Sequence, residues 1–195
     1  MKHPSTRELF DYWNNRRGAR AAPERSEIEP SAIRRVLADT FIFRFDPGAG
    51  HPFRIAGTRV CALFGRELNG IPFTDIWAAE WRSTLCDIVT TVASETIGVV
   101  GGASAASSDG TARELEFLVL PLTQRGSAAP RILGALTPVG ARGWLGTESL
   151  GPLTLGVTRY LGPETGPCSL PHRRPLTPGH ARFRHGLIVY DGGHA

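Results

Sequence analysis

The residues of this 195-residue chain with the chemistry for catalysis or metal binding are six histidines, three cysteines and a scatter of serines and carboxylates. Of His3, His51, His172, His180, His185 and His194, four fall in a C-terminal stretch with little periodicity. His180 and His185 are five apart and do not share a helix face. No cysteine or carboxylate cluster accompanies them at ligand spacing, so no metal site is expected. Cys61, Cys86 and Cys168 form no Cys-x-x-Cys pair, their number is odd, and the first two sit among apolar residues. They read as buried thiols in a reducing compartment. The chain has no Gly-x-Ser-x-Gly word, and no serine with a histidine in a triad-like context. Gly98-Val99-Val100-Gly101-Gly102 is glycine-rich but lacks the Lys-Ser/Thr of a phosphate loop and falls in a strand pattern. Glu114 and Glu116 alternate along a strand and read as solvent-facing or ion-paired, not as an acid/base couple. No catalytic activity and no cofactor are expected.

Charge adds little. The net charge is +4, and every basic residue except Lys2 is an arginine. That uniformity reads as coding bias, not as a surface selected for phosphate, so nucleic-acid binding is not expected. Its carriers would be Arg16, Arg17, Arg20, Arg34 and Arg35, with Arg173, Arg174, Arg182 and Arg184 in the tail. Met1-Lys2-His3-Pro4 leads straight into a polar, amphipathic segment, not a secretory leader. The apolar runs are too short to cross a bilayer. A cytoplasmic protein with no membrane partner is the expectation.

Periodicity then places these residues on elements. Ser5-Thr6-Arg7-Glu8 has the form of a capping box, and Leu9, Phe10 and Trp13 make one apolar stripe. A helix is predicted from about Thr6 to Arg17, closed by Gly18. Pro30 suits the start of a second helix carrying Ile33, Val36 and Leu37. The period changes at Thr40–Phe45, a strand that ends at Asp46-Pro47-Gly48 and pairs as a hairpin with Phe53–Gly57. Short helical pieces fill Thr58 to Trp77, broken by Gly65, Gly70 and Pro72. Trp81, Leu85, Ile88, Val89 and Val92 mark the clearest helix. Strands follow at Ile97–Ala105, Arg113–Leu122 and Arg131–Thr137, with Asp109-Gly110 turning between the first two. In the middle strand Arg113, Leu115, Phe117 and Val119 share one face, and Glu114, Glu116, Leu118 and Leu120 the other. The second face turns apolar along its length, so the N-terminal helix or a partner subunit must cover it. Beyond Pro138 the composition shifts, with five prolines between Gly162 and Gly179. Leu153–Tyr160 and Leu187–Tyr190 have strand character. Three segments result: a helical extension 1–38, a core 39–140, and a Gly/Pro-rich, partly irregular extension 141–195.

This order, with its words, resembles the stand-alone bacterial PAS proteins, a PAS subfamily of poorly characterised regulators. The words are Tyr12-Trp13 with Arg17-Gly18, Pro23-x-Arg25 and Ile28-Glu29-Pro30. They continue with Phe53-Arg54-Ile55-Ala56-Gly57-Thr58, Phe64-Gly65-Arg66-Glu67-Leu68, Gly70 and Trp77. They close with Glu116–Leu122 and Arg131-Ile132-Leu133-Gly134-Ala135, so the resemblance spans about residues 6–138. It implies an α+β PAS fold, a five-stranded antiparallel sheet with helices on one face and an N-terminal amphipathic helix. It also implies sensing or signalling through protein contacts. The haem-type histidine of some PAS domains is missing ahead of the third strand, and Val60-Cys61-Ala62 is not the reactive-cysteine word of the flavin-binding ones.

PAS cavities lie between the sheet and the short helices. Phe64, Phe73, Trp77 and Trp81 would line one from the helical wall, with Phe117, Val119 and Ile132 facing them from the sheet. Arg54 and Arg59 would stand beside it to meet an anionic ligand. The same aromatics serve equally to fill a core. Leu9, Phe10, Trp13, Leu118 and Leu120 are the candidate interface, either intramolecular cover or half of a dimer seam. PAS domains with such a helix often pair through it, so a homodimer is expected. The output would be a contact with a separate effector protein, gated by a small molecule of unknown identity. The alternatives are a ligand-free adaptor or dimerisation module and, below it, a nucleic-acid-associated regulator.

Overall fold

The structure, a computed structural model, describes residues 1–123, 130–140, 143–162, 181–184 and 187–190, the last two segments as backbone only. In chain order the elements are α1 (Pro4–Arg17), β1 (Thr40–Arg44), β2 (Phe53–Ala56), α2 (Thr58–Phe64), α3 (Arg82–Glu95), β3 (Gly98–Ala106), β4 (Ala112–Leu122), β5 (Arg131–Pro138) and β6 (Thr154–Leu161). Two further strands, β7 (Ala181–Arg184) and β8 (Leu187–Tyr190), form a unit of their own. They make an antiparallel pair running from Ala181 opposite Tyr190 to Arg184 opposite Leu187.

The main sheet has the order β2-β1-β5-β4-β3-β6 and every pairing is antiparallel. The α+β architecture is the expected one, with a sixth strand added. Leu153–Tyr160 supplies it: β6 pairs along β3 from Leu161 opposite Gly98 to Thr154 opposite Ser104. Pairing β3 gives its backbone donors and acceptors partners that an edge strand would have left to solvent.

Strand β4 is buried on both faces, and this divides the interior in two. Leu115, Phe117 and Val119 enter a core closed by α2, α3 and the 3-10 turns at Phe73–Ile76 and Ala79–Trp81. Leu118, Leu120 and Leu122 enter a second core with Leu9 and Trp13 of α1. On α3, Leu85, Ile88, Val89 and Val92 are the buried stripe, as the spacing predicts. Trp81 precedes the helix as its N-cap residue instead of opening the stripe.

Gly134 allows the central strands to pack. A Cβ there would lie 2.2 Å from Phe41 Cζ and 2.6 Å from the Leu118 carbonyl oxygen. The Asp109-Gly110 turn forms as expected. Gly110 takes a left-handed φ of 83°, and Asp109 accepts the Thr111 N–H at 2.8 Å. Hydrogen bonds from Ser107 and Thr111 pull the Asp109 carboxyl down to about 2.

Two local expectations are corrected. The helix begins at Pro4, one position before the predicted box, because the His3 ring accepts the Ser5 N–H at 3.1 Å and Pro4 suits the first turn. Ser5 and Thr6 are buried instead, with the Thr6 hydroxyl 3.3 Å from that of Thr137. The segment from Pro30 to Asp39 forms successive tight turns, not a second helix. Its amides bond three residues back, as from Ile33 to Pro30 and Asp39 to Val36. Ile33 and Val36 still reach the second core, so burial is served without a regular helix.

Candidate functional site

The expected ligand wall is a set of interlocked rings. Phe73 stacks on Phe43 with centroids 4.7 Å apart and meets Trp77 edge-on at 5.9 Å. Trp77 in turn meets Phe117 of β4 at 5.3 Å, nearly perpendicular. Phe41 and Phe53 extend the set along β1 and β2. Phe73, Trp77, Phe117, Val119 and Ile132 are all buried in this one core, while Phe64 and Trp81 sit half-buried at its margin. Edge-to-face pairs of this kind add about 0.5–1.5 kcal/mol each beyond the area they bury. The indole N–H groups of Trp77 and Trp81 are buried and meet no acceptor among the described residues.

Neither arginine stands over these rings. Arg59 is committed to Asp39, with Nε at 2.6 Å and Nη2 at 2.8 Å from the carboxylate oxygens. Asp39 is 1% exposed, and the pair raises the arginine's affinity for its proton. It ties α2 to the turn before β1. Arg54 is exposed on β2, at a register shift opposite Ile42 and Phe43.

The candidate interface residues turn inward. Leu9, Trp13, Leu118 and Leu120 are buried in the second core of the same chain, and only Phe10 stays half-exposed, stacked on Trp13. The Trp13 indole donates to the Pro121 carbonyl at 2.8 Å. Glu116, expected to face solvent or an ion-pair partner, is 5% exposed. Its carboxylate accepts the backbone N–H of Lys2 at 2.6 Å and of His3 at 2.9 Å. These bonds explain how a carboxylate is held under α1: it accepts the amides that precede the helix. No sequence word announces the contact, because it joins positions 113 and 114 residues apart.

His51 is another residue whose role pattern alone does not reveal. It is fully buried at a left-handed φ of 62°, between the rings of Phe43 and Phe45. Its Nδ1 accepts the Asp46 N–H at 3.2 Å, whereas Nε2 is buried with no partner among the described residues. Burial lowers its pKa to about 4, against a smaller opposing pull from Asp46, so the ring is neutral at ordinary pH. Cys61 is buried and Cys86 partly so, and burial raises both thiols, which disfavours a reactive thiolate. Cys168 and the histidines at 172, 180, 185 and 194 lie outside the described residues. Among the described residues no three His, Cys, Asp or Glu side chains gather as a metal site, and no helix is long and apolar enough to cross a membrane.

Three of the named arginines are committed as well. Arg16 pairs with Glu29 at 3.0 Å and Arg20 with Glu27 at 2.9 Å, while Arg17 lies over the Trp13 ring. Arg34 and Arg35 are exposed. Arg173 and Arg174 lie outside the described residues, and Arg182 and Arg184 are described only as β7 backbone.

No curated protein matches the chain. A family model described as a PAS domain matches residues 1–137, which takes in α1, the core beneath it, the inner core apart from Trp144, Leu150 and Leu153, and the sheet up to Thr137 of β5. PAS domains serve in sensing and signalling and commonly mediate dimerisation and protein contacts. By this match and by its fold, the chain belongs to the PAS domain family.

Proposed function

We propose that this PAS protein is a non-enzymatic cytoplasmic regulator, a homodimer whose output is contact with a separate effector protein. In this reading α1 is the element that shifts between states. The observation that carries it is the docking of α1 on the outer sheet face. Leu9 and Trp13 pack on Leu118 and Leu120, and the polar ties run to Glu116 and to the Pro121 carbonyl. The reading requires a second position for α1, between which and the docked one a ligand or partner with differential affinity shifts the population. With four of the five interface candidates spent inside the chain, the dimer contact falls to the Phe10 side of α1 and to β6. On β6, Val157 is 89% exposed.

A second reading places a small molecule at the inner wall, supported by the two indole N–H groups without acceptors. The ring contacts from Phe43 to Phe117 support the opposing view that the wall is only core. Native mass spectrometry of protein purified from its own host, compared with the denatured sample, tests all three points. A dimer that retains effector stoichiometrically, and loses it in Glu116→Ala, supports the proposal. A monomer with no retained protein overturns it. A small mass lost on denaturation and absent from a Trp77→Phe variant supports the second reading.

A further inference from the structure

An apolar concavity on this unit lies at the outer sheet face and touches the ring cluster only through Phe41. It measures about 460 Å³ and runs between the turns at 28–38 and the strands β1, β2 and β5. Its floor is a cross-strand row: Ile55 of β2 opposite Ile42 of β1, opposite Leu133 of β5. Ile28, Ile33 and Leu37 form the wall above. Ile55 is 53% exposed and Leu37 39%, unusual for aliphatic side chains facing one another across a groove.

One row further along the same strands the chemistry changes. Arg44 and Arg131 are cross-strand partners, each two residues beyond Ile42 and Leu133 on the same face. That spacing carries the arginine row about 7 Å from the apolar row. Arg54 sits at the β1–β2 register shift beside them, and Arg25 belongs to the groove itself. Burial, and after it the charges of Arg54, Arg44 and Arg25, lower the hold of Arg131 on its proton. Asp46 pairs with Arg44. Even so, Arg44 Nε and Arg131 Nη1 are buried donors without an acceptor among the described residues. Residues 124–129, which lead into β5, contain no acidic side chain. Arg44 has the Asp46 carboxylate, whereas Arg131 Nη1, crowded by other cations, has no carboxylate or phosphate to share among the described residues.

We propose that this groove binds a single-chain amphiphilic anion, its hydrocarbon on Ile42, Ile55 and Leu133 and its head group on Arg131 and Arg25. A volume of about 460 Å³ with an apolar floor and a few convergent polar groups fits a small ligand. The head group brings the acceptor that Arg131 Nη1 lacks among the described residues. Ile28, Ile33, Ile42 and Leu133 belong to the same core as Leu9 and Trp13, so an occupant touches the packing that seats α1. The site stands on its own geometry; only its consequence for α1 rests on the regulatory reading above.

Decanoate titrated calorimetrically into the full chain tests it, with decanol and acetate in parallel. Decanoate binds one per chain, decanol at least roughly tenfold more weakly, and acetate not measurably. Arg131→Gln weakens decanoate by roughly tenfold or more, and so does Ile55→Asp, an exposed position where the fold tolerates the change. Thermal unfolding confirms that both variants are folded. Should decanoate fail to bind below its micellar concentration, or bind both variants as it binds the parent, the proposal is wrong. It is equally wrong if Ile55→Asp instead dissociates a dimer, because a second copy then fills the groove. Hydrogen exchange on the same samples separates the two readings. Binding that leaves α1 protection unchanged keeps the site and refutes its coupling to α1.

Discussion

Lowering the pH from about 8 to about 5 removes about 2 kcal/mol of stability through one residue, His51. The ring is fully buried between Phe43 and Phe45, and Nδ1 already accepts the Asp46 N–H, so a second proton has no place to go. Its pKa falls from 6.5 to about 4 in the folded chain. Between those values the unfolded chain binds a proton that the folded one refuses, so stability is complete above 6.5 and is lost as the pH falls toward 4. A gap of 2.5 units corresponds to about 3 kcal/mol in all, with a limiting slope of about 1.4 kcal/mol per pH unit. Most carboxylates titrate lower, so the interval between about pH 6.5 and pH 5 reports histidines, and the comparison with a His51 variant separates His51 from the other five. Urea unfolding at several pH values in that interval reads the slope, provided m stays constant. His51→Asn keeps a residue that tolerates positive φ and removes the titration; its baseline falls, but its slope across the interval flattens. A parent protein with no slope there, or a variant with the same slope, refutes the reasoning.

Two further outcomes follow from the packing. Glu116→Ala removes the acceptor of the Lys2 and His3 amides and costs about 2–3 kcal/mol, with α1 losing hydrogen-exchange protection before the sheet does. A loss spread evenly over α1 and the sheet would show that the carboxylate does not seat the helix. Gly134→Ala forces a methyl into the Phe41 ring and the Leu118 carbonyl and lowers stability by at least about 3 kcal/mol or prevents folding. Gly102→Ala on β3, two strands away in the sheet, meets nothing within 4 Å and shifts the thermal midpoint little; equal effects at both glycines would refute the packing account.

The order of elements was legible from residues 1–138 because each carries a local signal. Thr40–Phe45 alternates with period two, Leu85 to Val92 recurs with helical period, and Asp109-Gly110 marks a turn whose φ glycine alone takes readily. The inner wall was legible for the same reason, since Phe73, Trp77 and Phe117 fall on apolar phases of their elements. Burial, however, depends on what lies opposite. Glu116 shares its strand face with Leu118 and Leu120, and only the arrival of Lys2 and His3 from the far end of the chain turns it from a surface carboxylate into an internal acceptor. Arg59 finds Asp39 across 20 residues, and His51 is sealed by rings on either side of its own turn. The arginine row of β1 and β5 exists only because the register sets Arg44 against Arg131. Periodicity is a property of neighbouring residues and survives in the sequence. Which charges meet, and which apolar rows stay open, depends on pairings across long loops, and those belong to tertiary structure alone.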